Sequence, residues 1–323
     1  MRLAIATFLL VCLLIAVGTS LWTFGPGASS ASPGRTGSAA ASSRVLRNIP
    51  YIHSNGHVRI GDLYLPAGNG PFPAVLLLHG GGWVAGSKGD AGVSFLAPRL
   101  AKRGWVVFNI NYRLVRHSGE FPADLKDCKN ALAWLIVHAG KYHINIHHIV
   151  IAGASAGAHL ALLTAYTRHS RDFPATRYPT IRLHAAAAVG FYTPTDAGFI
   201  RFLPKRSFGR RLVVQYLAAW RKRHPHTWLR APSPVNWAAH GVPTLLLQGT
   251  ADTLVPPIQA VIMQQALQRN HIPVTTLLIP GVGHAFMDFH GPARTQGWHA
   301  MEQFLTRFNG SKTNATHQPA AVN

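Results

Sequence analysis

Ser155 stands at the centre of Gly153-Ala154-Ser155-Ala156-Gly157, after the β-branched run Ile149-Val150-Ile151 and before the small-residue stretch Ala158-His159-Leu160-Ala161-Leu162. A serine flanked in this way reads as a nucleophile on a sharp strand-to-helix turn. The glycines leave room for close backbone approach, and the helix that follows directs its positive end at developing negative charge. The spacing alone equally suits a tight turn or a small-residue helix contact, so the strand–turn–helix context carries the reading. A second stretch, His79-Gly80-Gly81-Gly82-Trp83, follows an apolar run at 74–78. Its glycines free the backbone to aim amides at a bound oxygen, as an oxyanion hole requires, although a plain flexible loop has the same composition. Gly81, Gly82 and Ala156 are the expected amide donors. Trp83 is the expected wall of an acyl or alcohol pocket, His79 a residue that shapes the loop, and His159 a structural histidine.

Nucleophilic serine needs a base, and the base needs an orienting acid. Asp252 lies in the 249–256 loop after an apolar strand at 242–248, and it is the only Asp or Glu between residues 197 and 287. A solvated turn aspartate is the plain alternative. Asp288 falls too close behind His284 for the chain order Ser, Asp, His. His284, one of 19 histidines, follows the last apolar strand (274–279) across Pro280-Gly281-Val282-Gly283. In this scheme His284 takes the Ser155 proton during attack and returns it to the leaving group, while Asp252 fixes the tautomer and stabilises the imidazolium. The mechanism needs no metal and no cofactor.

Apolar runs at 74–78, 105–110 and 149–152, an amphipathic helix at 123–138 and a half-exposed strand at 58–65 alternate in the manner of an α/β protein with a mainly parallel central sheet flanked by helices. Residues 197–232 form a long insertion before the acid strand and read as a lid. Arg201, Lys205, Arg206, Arg210, Arg211, Arg221, Lys222, Arg223 and Arg230 are interleaved there with Phe199, Phe202, Phe208, Tyr216 and Trp220. Such a face suits either a solvated basic surface over helix packing or contact with an anionic membrane. In Gly190-Phe191-Tyr192-Thr193-Pro194-Thr195-Asp196, the final aspartate is expected to cap a loop near the cleft.

Several separated motifs together resemble α/β-hydrolases of the hormone-sensitive-lipase and acetyl-esterase type. His79 to Trp83 is similar to that family's oxyanion-loop motif, Asn111-Tyr112-Arg113-Leu114 to its following strand end, and Phe121-Pro122-Ala123-Asp124-Leu125-Lys126-Asp127 to its next helix. Gly153 to Gly157 matches the nucleophile motif. Gly249-Thr250-Ala251-Asp252-Thr253-Leu254-Val255-Pro256 resembles the acid turn, and Gly281-Val282-Gly283-His284-Ala285-Phe286 the histidine loop. The resemblance covers roughly residues 56 to 308. It implies a Ser155, Asp252, His284 triad that hydrolyses carboxylic esters, with short acyl chains preferred. Ala154 departs from a position often acidic in these esterases, and Ala158 replaces a frequent glycine. The string Ser155 to His159 is also similar to kynurenine-formamidase-like hydrolases, which cleave an aryl formamide. A non-catalytic, membrane-tethered binding protein of the same fold is the remaining alternative.

The chain of 323 residues is 48% hydrophobic, enough for a sizeable core, and it holds two cysteines, too few to define a disulfide framework. Lys+Arg 31 against Asp+Glu 10 gives a formal charge of +21, which favours anionic surfaces; no nucleic-acid motif accompanies it, and no nucleic-acid partner is expected. Residues 1–24 are almost continuously apolar behind Arg2 and read as a signal peptide or membrane anchor, which makes the protein exported. Residues 25–44 read as a flexible linker, 45–308 as the α/β-hydrolase domain and 309–323 as a disordered tail. The expected substrate is a small-molecule or carbohydrate-linked ester.

Overall fold

The apolar runs pair into one eight-stranded sheet in the order β1-β2-β4-β3-β5-β6-β7-β8. The structure is a computed structural model, and it describes residues 43–54 and 57–308. In chain order its elements are β1 (Arg44–Ser54), β2 (His57–Leu65), β3 (Phe72–Leu78), α1 (Ala91–Lys102), β4 (Val106–Ile110), α2 (Ala123–Val137), α3 (Ala139–Tyr142), β5 (Ile144–Ala154), α4 (Ala156–Tyr166) and β6 (Ala187–Phe191). There follow α5 (Phe208–Tyr216), α6 (Ala218–Arg223), β7 (Thr244–Gly249), α7 (Ile258–Arg269), β8 (Val274–Ile279) and α8 (Pro292–Leu305). β2 runs antiparallel to both β1 and β4, and the six strands from β4 to β8 are parallel. The expectations for 1–24 and 309–323 lie outside the described residues, as does the linker up to residue 42; Arg44, its last residue, already belongs to β1.

Strands covered on both faces need apolar residues at every position, not only at alternate ones. β3, β4, β6 and β7 meet this demand, with nearly every residue buried. One core, on the α2 and α4 side, gathers Leu76, Phe108, Ile151, Leu160 and Leu163; the other, on the α1 and α8 side, gathers Val75, Leu77, Val107, Leu245 and Met301. Each such side chain removed from water contributes roughly 1.5–3 kcal/mol. β2 is half exposed only at its outer end: Val58 is 48% exposed, whereas Gly61 to Tyr64 are buried beside β4.

Helix α2 departs from its expected amphipathic character. Asp124, Asp127, Lys129 and Asn130 are buried along with its apolar residues. The physical reason is that the helix has neighbours on more than one side, since it packs on β1, β5 and α4. Two of its polar positions are paired within the fold: Arg113 forks onto Asp127 through Nε and Nη2, both at 2.8 Å, and Arg177 N donates to Asn130 at 2.8 Å.

Parallel register brings the carboxyl ends of the central strands to one edge. Leu78 pairs with Gly153, Ala154 with Phe191, and Gly249 with Ile279. The glycine-rich loop, Ser155, the Asp252 loop and the His284 loop all leave from this edge, where open α/β sheets hold their ligands.

Candidate active site

The turn from β5 into α4 holds Ser155 at φ 52°, ψ −118°, a left-handed conformation that an ordinary side chain adopts only under constraint. Ser155 N donates to Phe191 O at 2.9 Å and His159 N to Ser155 O at 3.0 Å, so both neighbours of the turn fix it. Gly157 has no room for a side chain, because a Cβ there would run into the carbonyls of Leu78 and His79. That close approach seats the first turn of α4 directly against the end of β3. The same approach draws the glycine-rich loop to the serine.

His284 reaches Ser155 from the loop after β8. Its Nε2 lies 3.0 Å from Ser155 Oγ and its Nδ1 2.7 Å from Asp252 Oδ2. With Nδ1–H donating to the carboxylate, Nε2 is left to accept the serine proton. Asp252 is buried, and its charge is matched from all sides: Leu254 N (3.0 Å) and Val255 N (2.9 Å) donate to Oδ1, and Gln248 Nε2 (2.9 Å) donates to Oδ2 beside His284. Tyr192, just past β6 and itself at φ 43°, sets its buried ring edge-on against His284 with ring centres 4.7 Å apart. The structure thus brings together the three side chains that the sequence singles out across 129 residues.

The glycine-rich loop turns through Gly81 (φ 107°), Gly82 (φ 58°) and Trp83 (φ 64°). Gly81 O accepts from Val84 N (3.2 Å) and Ala85 N (3.0 Å), while the amides of Gly81 and Gly82 donate to no acceptor among the described residues. Gly80 lies alongside the serine, since a Cβ built on it would be 3.6 Å from Ser155 Cβ. Ala156 opens α4, where the first amides have no partner within the helix. His79 packs under the loop, stacked on Tyr112 at 4.2 Å, and Tyr112 Oη donates to His79 O at 2.8 Å. This gives the Asn111 to Leu114 run a task, namely to support the loop from below.

Trp83 does not stand open in the cleft. It is 5% exposed, with one face stacked on Tyr216 of α5 (4.4 Å, 6° between planes) and its Nε1 donating to His159 Nδ1 at 3.3 Å. His159 Nε2 in turn donates to Pro232 O at 2.7 Å, which defines the neutral tautomer; burial lowers its pKa to about 4. His159 therefore ties α4, the glycine-rich loop and the end of the insertion together. Asp196 accepts from Gly198 N at 2.7 Å and caps the short 3-10 turn that opens the insertion. Of α5 only Leu212 and Tyr216 are buried, and of α6 no residue is.

Sequence reasoning missed Gln248, Tyr192 and the Trp83–His159–Tyr216 cluster. A buried Gln at the penultimate position of an otherwise apolar strand was the available signal for the first. The others meet across long stretches of chain, 76 residues for Trp83 and His159, and leave no local pattern. Among the described residues no cluster of His, Cys, Asp or Glu is arranged to hold a metal ion.

A mostly parallel sheet with the serine turn, histidine loop and aspartate loop at its carboxyl edge defines an α/β-hydrolase. Comparison with known proteins places it more closely: the chain belongs to the BD-FAE family, whose model matches residues 61–267. It is 32% identical over 255 residues to esterase LipC of Mycobacterium tuberculosis, an alignment covering 75% of this chain and 60% of LipC. It is 34% identical over 262 residues to the probable carboxylic ester hydrolase LipM of the same organism, covering 78% of this chain and 58% of LipM. The chain thus spans about three fifths of the length of these relatives. Among solved structures, the thermophilic esterase Est2 of Thermogutta terrifontis superposes with a TM-score of 0.67 at 25% identity, over 85% of this chain and 95% of Est2.

Proposed function

We propose that the protein is an exported serine hydrolase that cleaves carboxylic esters of small molecules or carbohydrates, with short acyl chains preferred. The observation that carries this reading is the continuous hydrogen-bonded line from Ser155 Oγ through His284 to Asp252, next to unpaired amides of the glycine-rich loop. Ser155 Oγ attacks the ester carbonyl carbon as its proton passes to His284 Nε2. The carbonyl oxygen, now negative, takes hydrogen bonds from Gly81, Gly82 and Ala156; removing one such donor typically costs about 3 kcal/mol of barrier stabilisation. His284 returns the proton to the departing alcohol, leaving an acyl-Ser155 ester. Water, deprotonated by the same histidine, then releases the acid. Trp83 acts on this pocket from its buried position behind the loop. The names of LipC, LipM and Est2 support ester chemistry, and a structure of Est2 with butyrate bound, at 25% identity to this chain, supports the short-chain preference.

The test is hydrolysis of p-nitrophenyl esters from acetate to palmitate by the full-length protein beside Ser155→Ala. Highest kcat/KM at acetate or butyrate, abolished by the substitution, is the expected result; equal rates in both proteins would remove Ser155 from the chemistry. An aryl formamide in the same panel separates ester from formamide hydrolysis. Export rests on residues 1–24 and is checked by protease accessibility of the domain in intact cells.

The same proposal assigns an anionic membrane surface to the outside of the lid. Phe202 is 79% exposed and Val214 38%, among the exposed cations Arg201, Lys205, Arg206, Arg211, Arg221, Lys222 and Arg223, with no acidic residue from 197 to 251. Cosedimentation with phosphatidylglycerol vesicles that weakens with salt supports this assignment, and equal binding to phosphatidylcholine vesicles removes it.

A further inference from the structure

Helix α5 lies across the mouth of the site. At its start, a Cβ on Gly209 would be 3.3 Å from Leu254 Cδ1 of the acid loop. One turn on, Leu212 rests against Gly82, where a Cβ would meet its Cδ1 at 2.8 Å, and another turn on Tyr216 stacks on Trp83. One face of one short helix therefore touches the aspartate loop and the glycine-rich loop.

Trp83 is held in a left-handed conformation (φ 64°) immediately after Gly82, and a bulky residue stays there only if its surroundings over-determine it. Tyr216 supplies much of that constraint. Its ring covers one face of Trp83 and meets His159 edge-on at 5.8 Å. Its carbonyl accepts from Phe121 N at 3.4 Å, and its hydroxyl faces the Asp124 carboxyl, an approach short of a well-aligned bond. Burial raises the Asp124 pKa well above the ordinary carboxylate value, which favours the neutral carboxyl beside the Tyr216 phenol.

We propose that Tyr216 is a positioning residue of the hydrolytic site: through its stack on Trp83 it holds Gly81 and Gly82 with their amides turned to the oxyanion, so the lid must be seated for the hole to exist. This inference rests on the hydrolase reading above. It makes α5 a part of the transition-state machinery rather than only a cover. Substrate meets the cleft walls before the oxyanion forms, so loss of the stack weakens transition-state binding and leaves ground-state binding in place.

The experiment compares the full-length wild type with Tyr216→Leu and Tyr216→Phe. For p-nitrophenyl acetate, Tyr216→Leu is expected to lower kcat about tenfold to a hundredfold with KM within about twofold, a part of the loss seen on deleting one oxyanion donor. Affinity for an arylboronic acid, which forms a tetrahedral adduct on Ser155, falls by the same factor. Tyr216→Phe keeps the stack and restores both to within about threefold. Hydrogen exchange of the 79–86 segment is faster in Tyr216→Leu, whether or not ester turnover is detected. An active wild type whose folded Tyr216→Leu variant keeps kcat and boronate affinity overturns the proposal, as does unchanged exchange of 79–86. An inactive wild type sinks the hydrolase reading, and the exchange result then decides the coupling alone. Should Tyr216→Leu not fold, Tyr216→Met carries the same expectations with an unbranched side chain that adapts to the space the ring leaves.

Discussion

Two buried aspartates on either side of the cleft are built in opposite ways. Asp252, in the turn after β7, receives two backbone amides, the Gln248 side chain and His284, so both of its oxygens are occupied and its charge is matched. Asp124, in the first turn of α2, receives one amide, Leu125 N at 2.7 Å, and its second oxygen has only the Tyr216 hydroxyl in front of it. Burial pushes the Asp124 carboxyl up, and on the same helix it lowers the Lys129 amine to about 7. The turns at the strand ends hold charge in fixed geometry, which is what a reaction with a developing oxyanion and imidazolium demands. On α2 burial favours the neutral forms of Asp124 and Lys129, whereas Asp127 of the same helix is paired with Arg113. The Asp252 carboxylate is thus saturated with donors, and the Asp124 carboxyl is not.

The sharpest break of this contrast is Asp252→Asn. The amide still accepts from Leu254 N and Val255 N, so folding is retained, but its NH2 faces His284 Nδ1 and favours the tautomer with the proton on Nε2, which cannot take the serine proton. A fall in kcat of about 10⁴-fold is expected in single-turnover acylation with p-nitrophenyl acetate, with the urea midpoint little changed. A loss under tenfold would mean that Asp252 orients nothing.

Gly157→Ala tests the same region for shape instead of charge. Backbone carbonyls of Leu78 and His79 stand where the methyl group would go, and neither end of β3 nor the start of α4 has slack. Destabilisation of about 3 kcal/mol or more is expected by urea unfolding, together with lost activity. The lid gives the control: Val214→Ala, on its outer face, should stay within about 0.5 kcal/mol. Equal costs at the two positions would erase the distinction between a rigid edge and a tolerant cover.

Much of the site edge is legible in the sequence because its constraints are local. Ser155 needs a β-branched run before it and small residues after it; Asp252 stands alone in a long acid-free stretch; His284 follows the last apolar strand across a glycine turn. The parallel sheet follows from apolar runs without alternation. β1 was not legible: Arg44 to Ser54 shows no clean period of two, and its backbone explains why, with Asn48 at φ 54° and register shifts on both sides of Ile49 and Pro50. Its antiparallel pairing with β2 supplies the order that its own pattern lacks. Trp83 looked like a pocket wall because a tryptophan after three glycines has no local partner. Its partners, His159 and Tyr216, come from α4 and from the lid, and only the assembled fold brings them to it. The same holds for Asp124 and Lys129, whose burial depends on what α2 packs against.

Lys129 gives the smallest and most specific test of the under-saturated side. Its ammonium donates to Thr167 O and lies 5.9 Å from the Phe173 ring centre, with no carboxylate bonded to it. An amine lowered to about 7 in the fold but titrating near 10 in the unfolded chain is neutral in one state and protonated in the other between those values. In that window the unfolded state binds the extra proton, so stability rises with pH; below about 7 both states are protonated and the burial penalty is present in full. Replacing the amine by the thioether of Lys129→Met removes this term and leaves Thr167 O short of a donor at every pH. The wild type is therefore expected to gain on the variant by up to roughly 1.4 kcal/mol per pH unit between about 7 and 10, read from urea unfolding at pH 6.5, 8 and 9.5. Taking the difference between the two proteins cancels the titration of the other basic side chains that accompanies the same change in pH. A difference that stays flat across the three values would show Lys129 to be charged and solvated in the fold, and would make the α2 side as well matched as the aspartate turn.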